Sequence, residues 1–156
     1  MSVAFRRDGD DEHLEPKFEI PIPPGPNRVT PRGLAQIGQR VTALEAQLVG
    51  LTDETAISTA RRDLRYWQTR QITAELMPLA SGETAEFGTT VTFQLNGKQR
   101  VLAIVGDDEA DPASGLIAFS APLARALIGA RVGEFLEFAG REDAIEVLSI
   151  TPIAAA

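Results

Sequence analysis

Residues 30–50 read TPRGLAQIGQRVTALEAQLVG, and this stretch decides the first half of the fold. Its apolar side chains Leu34, Ile37, Val41, Leu44 and Leu48 recur at steps of three and four, the spacing that draws one stripe along a helix. Thr30 is suited to cap that helix, Pro31 takes the first helical position, where a missing N–H costs little, and Gly50 stops it. Just beyond, Thr52 or Asp53 can cap a second helix, where Ile57, Ala60, Leu64 and Trp67 continue the spacing. Pro78 bounds that helix. Neither stripe can be buried alone, so the spacing predicts an antiparallel coiled-coil hairpin, a finger spanning residues 29–80.

Outward from the finger the character changes on both sides. Residues 1–28 read as an extended arm, acidic over Asp8–Glu12, with four prolines in the six residues Pro21–Pro26. Proline removes backbone donors and restricts its predecessor, which predicts linker rather than helix or sheet. After Ser81-Gly82 the apolar period becomes two. Val91, Phe93 and Leu95 share one face, Asn96-Gly97 is a hairpin turn, and residues 99–105 form the returning strand. Further strands are expected over 116–119, 134–138 and 144–150, with a short helix over 122–128 begun by Pro122 and ended by Gly129. The fold class is therefore α+β: a helical hairpin, then a small, mostly antiparallel β domain with one short helix over 81–156.

Composition limits what such a chain does. Of its 156 residues 44% are hydrophobic, enough for one real core, and none is cysteine, which excludes disulfides, thiol chemistry and cysteine-held metals. No run of about 18 apolar residues occurs, and the first residues lack a signal-peptide core, so a soluble cytoplasmic protein off the membrane is expected. The net charge of −7 divides as −2 over residues 1–28, +1 over 29–80 and −6 over 81–156. An acidic β domain repels nucleic-acid phosphates, so any RNA contact should come through the middle segment or a protein partner.

Three motifs in order, Phe87-Gly88-Thr89-Thr90-Val91-Thr92, Val105-Gly106-Asp107-Asp108-Glu109-Ala110-Asp111 and Ala121-Pro122-Leu123-Ala124-Arg125-Ala126-Leu127-Ile128-Gly129, resemble the C-terminal domain of the bacterial transcription elongation factors GreA and GreB. The resemblance runs from about Phe87 to Ile150. More weakly, Val29-Thr30-Pro31-Arg32-Gly33 is similar to the start of that family's first finger helix. It implies an FKBP-like body that binds RNA polymerase at the rim of its secondary channel, and a finger that extends down the channel. There, two tip carboxylates help the polymerase Mg²⁺ cleave backtracked RNA, oxygen donors being suited to a hard cation that activates water. The implied protein is an accessory factor, with no cofactor or metal of its own and no need to be more than a monomer.

Two features depart from the family. The first finger arm, 30–50, is shorter, and at 1.5 Å per residue about a dozen missing residues withdraw the tip by roughly 18 Å. At the tip, Leu51 stands where the family has aspartate, while Glu54 matches its glutamate and Asp53 is a substitute in a shifted register. Asp53 and Glu54 thus have two readings, metal-positioning carboxylates or helix-capping acids. Asp107, Asp108, Glu109 and Asp111 lack the glycine and distal glutamate of an EF-hand. They read as a solvated turn closed by Pro112 or, through the resemblance, as a polymerase-facing loop. The resemblance places Asp108, Asp111, Pro112, Pro122, Leu123 and Arg125 on the polymerase-binding side, although Pro122 also serves simply to start a helix.

Arg61, Arg62 and Arg65 share one side of the second helix, facing either nascent RNA or solvent. Tyr66 and Trp67, as neighbours, are expected to point apart, with Trp67 on the hairpin seam. His13 lies in the arm without candidate partners and reads as inert. Two mechanisms follow for a polymerase-bound protein: stimulated cleavage through Asp53 and Glu54, or occupation of the channel without cleavage. The regulator of nucleoside diphosphate kinase, a short-fingered relative, is a variant of the second. A peptidyl-prolyl isomerase, the rival from another class, rests on fold analogy alone.

Overall fold

The structure is a computed structural model that describes residues 19–153. The acidic stretch Asp8–Glu12 and His13 lie outside the described residues. By their contacts the described residues group into two units, one of 19–25 and 36–73, the other of 26–35 and 74–153.

The first unit contains most of two helices, α1 (Pro31–Gly50) and α2 (Glu54–Thr73), joined by three residues. Thr30 caps α1 through its hydroxyl, which accepts from the Gly33 N–H at 3.0 Å, and Pro31 opens the helix as its spacing predicts. The helices run antiparallel, since Gly38 lies beside Gln71 and the Arg40 guanidinium sits 5.1 Å from the centre of the Trp67 ring. Ile37, Val41 and Ala60 are buried along the seam, whereas Leu44, Leu48, Ile57 and Leu64 are half-buried. Burial fades towards the connection, where Val49 is 88% exposed.

The second unit holds a five-stranded sheet in the order β5-β4-β3-β7-β6. Its strands are β3 (Thr89–Leu95), β4 (Lys98–Val105), β5 (Leu116–Ala118), β6 (Phe135–Phe138) and β7 (Arg141–Pro152). All neighbours are antiparallel except β4 and β5. The β3–β4 hairpin turns on Asn96 and Gly97, whose φ angles of 52° and 84° are those a two-residue turn matched to strand twist demands. Val91 and Phe93 from β3, Leu102 and Ile104 from β4, and Ile145 and Val147 from β7 form the core. Helix α3 (Pro122–Leu127) closes it with Ala124 and Leu127. A bulge opposite Thr92 and Phe93 shifts the register of β7, so Ile150 packs on the same core as Ile145 and Val147 despite an odd spacing.

One element of this unit corrects the arm. Arg28 does not belong to an unstructured linker: β1 (Arg28–Val29) pairs in parallel with β2 (Glu75–Leu76). The Glu75 N–H donates to the Asn27 carbonyl at 2.8 Å, and the Met77 N–H to that of Val29 at 3.1 Å. Pairing so short leaves no periodicity to read, because two residues do not complete one alternation.

Candidate functional site

At the connection between α1 and α2, the expected carboxylates part company. Asp53 caps α2: one of its carboxylate oxygens accepts from the Ala56 N–H at 2.8 Å. Glu54 is the first residue of α2 and is exposed, and Leu51 is half-buried beside the exposed Val49. Among the described residues no three Asp, Glu or His gather as a metal-binding group. The tip therefore offers one carboxylate clear of helix capping, next to an apolar pair.

The basic side of α2 is largely engaged. Arg62 donates to Asp63 at 2.9 and 3.2 Å, a pair between sequence neighbours. Arg65 grips Glu19 with both arms of its fork, Nε–H to one oxygen and Nη2–H to the other, each at 2.7 Å. The Arg65 hydrogen bond holds the Glu19 carboxyl below the ordinary carboxylate range, and Glu19 raises Arg65 in turn. A depressed acid keeps its pair at neutral pH and loses it only as the pH falls below that range. Arg61 is exposed and has no ion-pair partner among the described residues. Tyr66 and Trp67 do not point apart: their rings meet edge to face with centroids 5.0 Å apart, because both side chains turn towards one another from adjacent positions.

In the second unit, the residues expected to face polymerase fall in two places, the segment between β4 and β5 and helix α3. Asp111 is exposed, accepts from the Ser114 hydroxyl at 2.8 Å and precedes a single 3₁₀ turn (Pro112–Ser114). Pro122 starts α3 without a side-chain cap from Ala121, and Leu123 is half-buried while Arg125 is exposed. Asp108 is half-buried. The Ser120 hydroxyl donates to Asp107 at 2.7 Å, tying the acidic turn to the residues just before α3. Asp108, Asp111 and Pro112 thus lie between β4 and β5, Pro122, Leu123 and Arg125 lie on α3, and this bond joins the two segments.

A family profile described as "Transcription elongation factor, GreA/GreB, C-term" matches residues 80–152. This part of the chain is a GreA/GreB C-terminal domain. Among curated relatives, the transcription elongation factor GreA of a Chelativorans strain is 48% identical over 59 residues, 36% of this chain and 38% of that one. The GreA of Agrobacterium fabrum is 39% identical over 83 residues, 49% of this chain and 52% of its own. The chain spans about half or less of the length of the curated relatives it matches. GreA factor homolog 1 of Thermus thermophilus is similar in structure with a TM-score of 0.39 and 18% identity, covering 81% of this chain and 99% of that one. A GreA/GreB factor from Nitrosomonas europaea gives 0.39 and 18%, covering 82% and 99%.

Within the Gre domain, Glu109 is not part of a solvated turn. Its side chain is only 4% exposed. Its two oxygens accept from the Thr30 hydroxyl at 2.6 Å and from Arg32 at 3.0 Å. The carboxylate is thus satisfied by donors at the start of α1, where the helix dipole also favours negative charge. No local signal marks Glu109, since it stands in a run with Asp107, Asp108 and Asp111, and its partners are 77 and 79 residues away. The same hydroxyl serves both contacts: Thr30 donates to Glu109 while accepting from Gly33.

Proposed function

We propose that this protein is a Gre-type regulator of transcription elongation that binds RNA polymerase through its C-terminal domain and places its finger in the secondary channel without stimulating cleavage. The observation that carries the reading is the pairing of a GreA/GreB C-terminal domain with a hairpin whose tip has Leu51 in place of an acid and Asp53 committed as a helix cap. Carboxylate chemistry on the polymerase Mg²⁺ needs acidic oxygens presented together, and this tip does not fit that demand. The chain acts as an accessory factor and carries out no reaction of its own. Glu54, exposed at the tip, favours a second reading in which some cleavage stimulation survives.

The polymerase-facing side is assigned to Asp108, Asp111, Pro112, Pro122, Leu123 and Arg125, and the RNA-facing side of the finger to Arg61, Arg62 and Arg65. Arg125 is exposed on α3 and is the least risky of these to alter. Arg125→Glu should weaken binding to core RNA polymerase about tenfold and lower its dependence on salt, since a reversed interface charge acts on association. Immobilised polymerase titrated with wild type and variant measures this. Equal affinities would remove α3 from the interface, and no binding by wild type would overturn the proposed function.

A further inference from the structure

Helix α2 carries four arginines against one glutamate and one aspartate, inside a chain whose net charge is −7. Two shallow grooves run along it, and Arg65 lines both. The one towards the finger tip is bounded by Glu54 at its far end and by Ile57, Ser58 and Arg61. In the other, Ile20 and Ile22 of the arm lie with Tyr66, Thr69 and Ile72. The two grooves meet at Arg65, and the arm forms one wall of the second through Glu19, Ile20 and Ile22.

The manner of covering is informative. Pro21, Pro23 and Pro24 have no N–H to donate, so this stretch of arm is poorly equipped to add a strand or helix to its neighbour. What fastens it is Glu19 on Arg65, supported by the half-buried Ile20, while Ile22 stays exposed. Both partners of the ion pair are more than half exposed, at 53% and 61%. Exposed pairs are weak and screened by salt, so this contact suits a displaceable fastening better than a structural brace. The fork geometry that receives the carboxylate equally receives phosphate. Arg61 lies one helical turn away, and Tyr66, whose ring meets that of Trp67, lines the arm's groove with an aromatic side chain of the kind that stacks on unpaired bases.

We propose that residues 19–22 form a strap across α2 that competes with single-stranded RNA for Arg65 and Tyr66. It rests on the assignment of this face to RNA and adds its regulation: the arm holds the surface closed until a strand of phosphates, anchored on Arg61, displaces Glu19. Tethering keeps the Glu19 carboxylate close at all times, so the strap lowers apparent affinity for RNA by the fraction of molecules in which it is closed.

The test uses the full chain and a fluorescently labelled single-stranded RNA, followed by anisotropy, for wild type, Glu19→Gln, Arg65→Gln and the double variant. The proposal expects Glu19→Gln to bind about threefold tighter, the scale of a weak exposed ion pair. Arg65→Gln should bind more weakly than wild type, and the double variant should equal Arg65→Gln. In the free protein, the Arg65 Nε–H resonance should shift in Glu19→Gln, which reports the strap without RNA. Should Glu19→Gln leave affinity unchanged while Arg65→Gln weakens it, the face binds RNA and the strap is overturned. Should no variant bind RNA, or should Glu19→Gln change affinity only for polymerase, RNA is overturned as the competitor.

Discussion

Thr30→Val lowers the stability of the unit holding the Gre domain by about 3 kcal/mol. The substitution keeps volume and β-branching but removes a hydroxyl that both donates to Glu109 and accepts from Gly33. Losing the cap on the Gly33 N–H costs about 1 kcal/mol, and helix caps rarely cost more than twice that. The Glu109 carboxylate, nearly fully buried, then loses its 2.6 Å donor and keeps only Arg32, whose side chain is half exposed. An under-satisfied buried charge adds about 2 kcal/mol. In thermal unfolding of a unit this size, this corresponds to a midpoint lower by roughly 12–24 °C. Thr30→Ser keeps both bonds and should stay within about 1 kcal/mol of wild type. A Thr30→Val protein as stable as wild type would show that the Glu109 pairing is incidental.

Gly106→Ala costs about 3 kcal/mol, by crowding rather than by lost bonds. A Cβ at this position would clash with the Arg28 carbonyl oxygen, which is backbone of β1 and has no rotamer with which to retreat. Either β1 moves away from the turn after β4 or the turn moves away from β1. That turn is the one that positions Glu109, whose N–H donates to the Gly106 carbonyl at 3.2 Å. Since both substitutions strike the same junction, their effects should not add: the double variant should lose less than the sum. Denaturant unfolding of the four proteins measures this, and strict additivity would mean that Gly106 and Thr30 act independently.

How much of this was legible in the sequence depended on range. The finger helices were legible because Leu34 to Leu48 and Ile57 to Trp67 repeat at helical spacing, and because Thr30, Pro31 and Gly50 punctuate them. Asn96-Gly97 marked the hairpin for the equally local reason that both residues tolerate positive φ. The β1–β2 pair was not legible, since its two strands lie more than forty residues apart and are too short to alternate. Nor was the bulge in β7, which moves Ile150 to the core face by an odd step. Glu109 was hidden among its acidic neighbours, and only the fold brings Thr30 and Arg32 to it. At the tip, the departure at Leu51 and the capping position of Asp53 were visible in the sequence, and the coordinates add the hydrogen bond that Asp53 accepts from the Ala56 N–H.

The most direct test of the central claim is RNA cleavage in a backtracked elongation complex, with and without a full-length GreA, titrated with this protein. The account predicts that the chain alone leaves the basal cleavage rate unchanged, as does its Asp53→Ala/Glu54→Ala variant. It also predicts that both suppress GreA-stimulated cleavage in a dose-dependent way, by occupying the same channel. Accelerated cleavage that disappears with Glu54→Ala would contradict it by showing a working tip. GreA-stimulated cleavage that persists at saturating concentrations of the chain would contradict it by showing that the finger does not enter the channel.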